Sequence, residues 1–220
     1  MTNLKINFLG DSITEGYGAK SLYGYVDYVA EYTGAKCNNY GIAGTRIAKQ
    51  NIPSDNARYD LDFCSRVDEM DNDADIVFVF GGTNDYGHGD APMGIFGDTT
   101  NKTFYGALDL LYRKLIEKYY NIPIVIITPL HRYDENNLKG DGSKSHDAYP
   151  LKSYVEAIRK VAQWYSLPVL DFYNSSGLNP NVEIIKSKYL PDGLHPNDDG
   201  HRRLAKLIIQ YIKSNYFFKW

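Results

Sequence analysis

The sequence predicts an α/β fold in which helices cover both faces of a central parallel sheet. Short apolar runs alternate along the chain with longer segments in which apolar residues recur three and four positions apart. The runs are apolar at successive positions, and a strand that is buried on only one face would instead alternate polar with apolar residues. The chain has 220 residues, which suits one core. We therefore expect a single three-layer α/β/α sandwich over residues 1–220.

Five strands and four helices follow from these patterns. Four runs rich in β-branched or aromatic residues predict buried strands at residues 6–9, 76–80, 124–128 and 169–171, and a weaker run predicts one at 37–40. Helical spacing predicts helices at residues 23–33, 104–119, 149–165 and 198–215. Two polar stretches, residues 86–102 and 131–145, are predicted to be loops at one edge of the sheet.

Composition excludes several classes of function. The formal net charge is -3 and basic residues form no stripe, so we expect no nucleic-acid partner. No run approaches the roughly 18 apolar residues of a membrane span, and the N-terminus does not resemble a signal peptide, which predicts a cytoplasmic protein. Cys37 and Cys64 lie in no CxxC or metal-ligand spacing, so we expect free thiols.

A serine, an aspartate and a histidine follow predicted strands or precede the last helix, where an open parallel sheet binds its ligands. Ser12 follows the first strand, and Asp192 precedes His195 by three residues, which lets a carboxylate reach an imidazole within one turn. A serine hydroxyl becomes a useful nucleophile when such an imidazole takes its proton. Each motif alone has a simpler reading, because Gly-Asp-Ser also suits a plain turn and D-x-x-H a capping aspartate before a surface histidine.

Two further positions could donate hydrogen bonds to an oxyanion. Asn84 follows the glycines that end the third strand, and the backbone N–H of Gly44 lies in the loop after the second. Taken singly, Asn84 also fits an Asx turn and Gly44 an ordinary loop glycine.

Four blocks in this order resemble the SGNH hydrolases, the GDSL-type esterases and lipases. They are GDSITEGYG from Gly10, NYGIAGTR from Asn39, GGTNDYG from Gly81 and DGLHPNDDGHRRLA from Asp192. The resemblance implies a flavodoxin-like α/β/α fold, and the lack of a GxSxG elbow argues against the α/β-hydrolase fold. It also implies a site made of the nucleophile Ser12, whose N–H is the first oxyanion donor, the second and third donors Gly44 and Asn84, and the triad partners Asp192 and His195. Thr83, between Gly82 and Asn84, is a local departure that leaves the role of Asn84 intact.

The expected activity is hydrolysis of a small-molecule carboxylic ester with a small, acetyl-type acyl group, on a carbohydrate for example, without a cofactor or a metal. Alternatives are a lysophospholipase or thioesterase-like hydrolase of longer chains and a catalytically silent binding module. A metal-dependent phosphoesterase would combine Asp11 and Asp85 with Asp192 and His195. The aromatic tail, residues 216–220, would pack on the domain or on a second copy in a homo-oligomer.

Several other side chains could border the site. We expect His88 and His131 near the substrate pocket and His146 and His201 in solvent. Arg46 could meet a polar substrate group or form a surface ion pair. Five tyrosines near the predicted loops could stack on sugars or simply pack their rings: Tyr17, Tyr23, Tyr25, Tyr86 and Tyr133.

Overall fold

Five parallel strands form one sheet in the order β2-β1-β3-β4-β5. The computed structural model describes residues 3–145 and 148–216. The strands are β1 (Lys5–Gly10), β2 (Lys36–Gly41), β3 (Ile76–Phe80), β4 (Ile124–Ile127) and β5 (Val169–Leu170).

Nine α-helices and three 3₁₀ turns connect or flank the strands in the described part of the chain. The longer helices are α2 (Tyr25–Thr33), α5 (Phe104–Lys118), α6 (Leu151–Trp164) and α9 (Asp198–Asn215). The shorter ones are α1 (Ser12–Glu15), α3 (Phe63–Arg66), α4 (Thr83–Gly87), α7 (Phe172–Ser175) and α8 (Glu183–Tyr189). The 3₁₀ turns are Lys20–Leu22, Ala57–Asp60 and Val67–Glu69.

The sheet is buried on both faces, which confirms the predicted three layers. Val77 and Val79 of β3 pack with α3, α5 and α6 on one side. Ile76, Phe78 and Phe80 of the same strand pack with α2 and α9 on the other. Successive side chains of a strand point to opposite faces, so a strand between two helical layers must be apolar at every position.

Strand register brings the carboxyl ends of the inner strands to one level. Gly10 at the end of β1 is paired with Gly41 of β2 on one side and with Phe80 of β3 on the other, and Phe80 is paired with Ile127 of β4. The segments that follow these strands therefore emerge side by side at one edge of the sheet.

The predicted elements are confirmed with small shifts at their ends. The helix predicted at residues 23–33 begins at Tyr25, because Gly24 is its N-cap and the Gly24 N–H donates to Asp27 at 2.8 Å. The helix predicted from residue 149 begins after Pro150. Asp171 caps α7 instead of extending β5, and the loop predicted from residue 86 begins inside α4.

The expectation that His201 is solvated is wrong. His201 is fully buried under α2, where its Nδ1 accepts from the Tyr25 N–H at 3.1 Å and its Nε2 donates to the Tyr17 carbonyl at 3.0 Å. Burial lowers the pKa of His201 to about 4, although the Tyr17 carbonyl acts in the other direction. The ring is thus a neutral structural link between α9 and the segment after Ser12.

Other expectations concern the thiols, the membrane and the chain end. Cys37 and Cys64 are free, and burial raises the pKa of the Cys37 thiol to about 12. None of the helices in residues 3–145 and 148–216 is long and apolar enough to cross a membrane. His146 and residues 217–220 lie outside the described residues, and the cytoplasmic location and the homo-oligomer stay predictions.

Candidate active site

Ser12 lies at the start of α1, directly beyond β1. Asp11 caps this short helix, because its Oδ1 accepts from the Ile13 N–H at 3.0 Å. A side chain at Gly10 would collide with the Thr14 side chain and the Phe80 carbonyl, so the close packing at the end of β1 requires glycine. The backbone thus presents Ser12 at the carboxyl edge of the sheet.

A chain of two hydrogen bonds joins Ser12 to Asp192. The Ser12 Oγ lies 3.0 Å from His195 Nε2, and His195 Nδ1 lies 2.7 Å from Asp192 Oδ2. His195 retains 16% of its side-chain exposure, whereas Asp192 retains 53%. The aspartate therefore lies behind the imidazole, on its solvent side.

The loop before α9 holds Asp192 in place. Its Oδ1 accepts from the Leu194 N–H at 2.8 Å and from the His195 N–H at 2.7 Å. Gly193 has a φ of +82°, a conformation that favours glycine, and a Cβ there would lie 2.6 Å from Tyr133 Cβ. Partial burial acts to raise the pKa of Asp192, but the hydrogen bonds from His195 and Leu194 outweigh it and bring the value to about 2.

The segment after α1 packs against the His195 side chain. The Tyr17 ring lies 4.9 Å from the imidazole, measured between centroids. A Cβ on Gly18 would collide with the Pro196 carbonyl and lie 3.0 Å from His195 Cβ, and the φ of Gly18 is +90°. These contacts limit the positions that the imidazole can take.

Asn84 lies on α4, which begins one residue after the left-handed N-cap Gly82. Its Nδ2 donates to the Thr45 carbonyl at 2.9 Å. An amide NH₂ has two hydrogens, so the second remains available to a ligand in the pocket that Asn84 lines. Asp85 accepts from the Ile47 and Ala48 N–H groups, both at 2.9 Å, and so ties α4 to the loop after β2.

Two backbone N–H groups at this edge have no acceptor among the described residues. Neither the N–H of Ser12 nor that of Gly44 donates to a group in residues 3–145 or 148–216. Gly44 has a φ of +76° and lies against the Tyr59 ring. Together with the second hydrogen of Asn84, these donors suit an anionic oxygen.

A cavity of about 270 Å³ joins four of the five predicted site residues. Ser12, Gly44, Asn84 and His195 line it, and Asp192 contacts it only through His195. The remaining lining residues are Tyr17, Ala43, Tyr59, His88, Arg132, Asp141 and Leu194.

Some of the other candidate side chains line the cavity and others lie away from it. His88 lines the cavity, but His131 does not: its Nδ1 lies 2.9 Å from Glu135 and its ring packs on Tyr173. Arg46 does not line the cavity: it is buried and forms an ion pair with Asp60 at 3.2 Å. Among the five tyrosines, Tyr25 and Tyr86 are core residues and Tyr17 alone lines this cavity.

Asp11 and Asp85, the carboxylates that a metal site would need, hold backbone segments in place. Asp11 and Asp85 are buried and hydrogen-bonded to backbone N–H groups, which hold the segments that carry Ser12 and Asn84. Burial raises the pKa of Asp11 to about 6, although the Ile13 N–H and His195 act to lower it. Within the part of the chain that the structure describes, no three metal-ligating side chains cluster closely enough to hold an ion.

Arg132 and Asp141 line the cavity but were not predicted from the sequence. Both lie in the stretch predicted as loop 131–145. Such a stretch has no hydrophobic period that would indicate which side chains turn inwards.

Residues 8–203 match the model of the GDSL-like Lipase/Acylhydrolase family. A crystal structure from Lactobacillus plantarum is 31% identical, with 97% of this chain and 98% of that chain covered and a TM-score of 0.84. The lipase/acylhydrolase from Enterococcus faecalis is 22% identical, with 99% of each chain covered and a TM-score of 0.67.

A possible lipase from Chitinophaga pinensis shares the fold at 20% identity, with 96% of this chain and 98% of that chain covered and a TM-score of 0.64. No curated protein is similar enough to this chain to match it. The four sequence blocks, the parallel sheet flanked by helices and the match over most of the chain agree: the chain belongs to the GDSL-like lipase/acylhydrolase family of ester hydrolases.

Proposed function

We propose that this chain is a serine-dependent carboxylic ester hydrolase in which Ser12 is the nucleophile, His195 its base and Asp192 the group that orients the base. The observation that carries the proposal is the continuous chain of hydrogen bonds, 3.0 Å and 2.7 Å long, from Ser12 through His195 to Asp192. A hydroxyl, an imidazole and a carboxylate in this order are the groups that acyl transfer requires.

The proposed reaction proceeds through an acyl-enzyme. The Ser12 Oγ attacks the ester carbonyl carbon while its proton passes to His195 Nε2, and the carbonyl oxygen becomes an oxyanion. That oxygen accepts hydrogen bonds from the N–H groups of Ser12 and Gly44 and from the Asn84 amide. The C–O bond to the alcohol then breaks, and Nε2 returns its proton to the leaving oxygen. Water repeats the sequence on the acyl-enzyme, which releases the acid and restores Ser12.

Asn84→Ala is expected to lower kcat by about 10²- to 10³-fold, because one donor to the oxyanion is lost while the nucleophile and its base remain. KM should change much less, since the ground-state carbonyl oxygen carries little charge. Steady-state kinetics on a chromogenic acetate ester measures both. Asn84→Asp is the matched variant, because it keeps the size of the side chain and removes the donor. A rise in KM at unchanged kcat would contradict the oxyanion role of Asn84.

The size and the polar lining of the cavity support the proposal of a hydrophilic substrate with a small acyl group. Its volume of about 270 Å³ is modest for a ligand site, and His88, Arg132 and Asp141 make its lining polar. Tyr17 and Tyr59 also line it, and aromatic rings are surfaces on which a sugar can stack. We propose acetyl-type esters, on a carbohydrate for example, as the substrate class.

A neighbouring groove favours the second candidate, a hydrolase of longer acyl chains. The groove has a volume of about 870 Å³ and shares His88 with the smaller cavity. Ile52, Pro92, Met93 and Tyr149 contribute apolar surface to it. A long acyl chain that left the small cavity beside His88 would find room there.

A series of p-nitrophenyl esters from acetate to palmitate separates these two candidates. We expect kcat/KM to be greatest for the shortest acyl groups, because a chain beyond a few carbons must leave the small polar cavity. The rates are compared at substrate concentrations below micelle formation. A maximum at long chains would assign the groove to the acyl group and reject the acetyl-type preference.

Covalent labelling tests whether the site is active at all. A fluorophosphonate is expected to add one phosphonyl group to the wild-type chain, and peptide mass spectrometry should place it on Ser12. Ser12→Ala is the matched control and should not be labelled. A wild-type chain that stays unlabelled would favour the catalytically silent binding module.

A further inference from the structure

Arg132 is a buried cation in the wall of the proposed catalytic cavity. It is 8% exposed, and its Nη1 donates to the Thr83 carbonyl at 3.2 Å. Its guanidinium carbon lies 5.2 Å from the centre of the Tyr86 ring. Among residues 3–145 and 148–216, no carboxylate forms an ion pair with it. A buried charge is costly unless a partner compensates it, so an arginine without an acidic partner in a ligand cavity requires an explanation.

One edge of this guanidinium is available to a ligand. Nε and Nη2 of Arg132 donate to no described residue. Both atoms are accessible to solvent. In the described part of the chain, Arg159 Nε is the one side-chain nitrogen or oxygen that is buried and also lacks a hydrogen-bond partner. Arg132 lines the cavity, and we therefore place the Nε–Nη2 edge at its surface. The two N–H groups of that edge are parallel and match the two oxygens of a carboxylate.

No described carboxylate contacts this edge directly. Asp141 is the acidic residue that lines the same cavity, and its Oδ1 accepts from the Ser143 N–H at 3.1 Å while its Oδ2 lies 3.2 Å from His88 Nδ1. Asp141, Asp11 and Asp192 all act on Arg132 through longer-range charge, Asp141 most strongly of the three, but none of them forms an ion pair with it. Burial lowers the pKa of Arg132, but an arginine side chain keeps its charge in proteins.

We propose that Arg132 binds a carboxylate of the substrate, so that the preferred esters carry a carboxylate a few bonds from the scissile bond. This inference rests on the proposed ester hydrolysis at Ser12, because it names the substrate class of that same cavity. The small volume keeps the two groups close: an ester carbonyl at Ser12 and a carboxylate at Arg132 must fit together in about 270 Å³. The carboxylate belongs either to the alcohol, as in an acylated hydroxy acid, or to the acyl group, as in a dicarboxylic half-ester.

Two matched substrate pairs distinguish these sources. Acetoxyacetate and acetoxyacetamide place the charge, or its neutral isostere, on the alcohol. Monoethyl succinate and ethyl succinamate place it on the acyl group. Hydrolysis is followed by pH-stat titration, and the measured quantity is the ratio of kcat/KM for the anion to kcat/KM for its amide. We expect a ratio above 1 by about 10- to 100-fold in one pair, as for a charge-assisted hydrogen-bonded pair. The pair that shows it identifies the side that carries the charge.

Arg132→Gln is expected to reduce that ratio to 1 or below. Arg132→Lys should give an intermediate ratio, because lysine keeps the charge but lacks the two parallel N–H groups. Arg113→Gln is the control: it removes one exposed positive charge from α5 and should keep the wild-type ratio. A merely structural Arg132 would lower the rates of both members of a pair alike and leave the ratio unchanged. That result, or a wild-type ratio of 1 or less in both pairs, would overturn the proposal.

A binding measurement separates this inference from the proposed hydrolysis. Calorimetric titration of Ser12→Ala with acetoxyacetate and with monoethyl succinate should detect binding of the anion that the kinetics prefer, and its amide should bind about 10-fold or more weakly. Adding Arg132→Gln to Ser12→Ala should abolish the difference. If wild-type protein hydrolyses no ester and Ser12 is not labelled, the proposed function fails, whereas selective carboxylate binding would still support the role of Arg132. Equal binding of both anions and their amides would overturn that role whatever the kinetics show.

Discussion

Ser12→Ala is expected to lower kcat by a factor on the order of 10⁶, with folding unchanged. The Ser12 Oγ lies 3.0 Å from His195 Nε2. Its removal leaves no oxygen at this position to form the acyl-enzyme. Hydrolysis of p-nitrophenyl acetate and of the preferred ester, compared with the wild-type protein at equal concentration, measures the loss. Turnover near the wild-type rate in Ser12→Ala would reject the proposed mechanism.

His195→Ala should cost about as much as Ser12→Ala, and the double variant should cost little more than either one. Residues that act as one unit are not additive, because the nucleophile is ineffective without its base and the base has no task without the nucleophile. His131→Ala is the matched control: His131 follows β4 at the same edge, but it pairs with Glu135 and does not line the cavity. Independent, multiplied losses in the double variant would show that Ser12 and His195 do not act together.

The strands were predictable because burial on both faces leaves a clear pattern. β3 was predicted with its observed bounds, since all five of its residues are buried. β2 gave a weak signal because it is an edge strand of sequence KCNNYG with no fully buried residue. Helices such as α1 and α4 were missed, because four or five residues are too few to show a helical period.

The spacing of apolar residues around His201 indicates a buried position. His201 lies three and four residues before Leu204 and Ala205, and Ile208 and Ile212 continue the same buried face of α9. Residues at these spacings share one side of a helix, so the pattern places His201 towards the core. Its two hydrogen bonds to backbone groups compensate the burial of a polar ring.

The proposed site was predictable to a different degree for each residue. Ser12, Asn84 and Gly44 follow strands, so the parallel topology alone brings them to one edge. Arg132 also follows β4, next to His131, but that position does not indicate which of the two side chains turns into the cavity, because the contacts of Arg132 with Thr83 and Tyr86 depend on the path of a long loop. The sequence thus predicted the groups proposed for the chemistry better than those proposed for substrate recognition.

Asp192→Asn is expected to lower kcat by about 10⁴-fold, less than the loss in Ser12→Ala. The Asp192 carboxylate accepts from His195 Nδ1 at 2.7 Å, which leaves Nε2 free to accept the Ser12 proton. An amide in its place can donate to Nδ1, and this favours the tautomer that carries its proton on Nε2. Steady-state kinetics measures the loss. Asp199→Asn is the control, because Asp199 is an exposed carboxylate paired with Arg202 in the first turn of α9.

The pH dependence adds an independent check on Asp192. Its pKa of about 2 lies below the unfolded-state value of about 3.9, so its ionisation stabilises the fold above about pH 4, and that contribution is lost as the pH falls towards 2. Between pH 5 and 8 the carboxylate stays ionised, so Asp192→Asn should have a lowered kcat throughout that range.

Asp192→Asn keeps a side-chain oxygen that can accept from the Leu194 and His195 N–H groups, whereas Asp192→Ala removes it. Thermal unfolding should therefore show a larger loss of stability for Ala than for Asn, and a kcat loss of less than about 10-fold in Asp192→Asn would remove this residue from the mechanism.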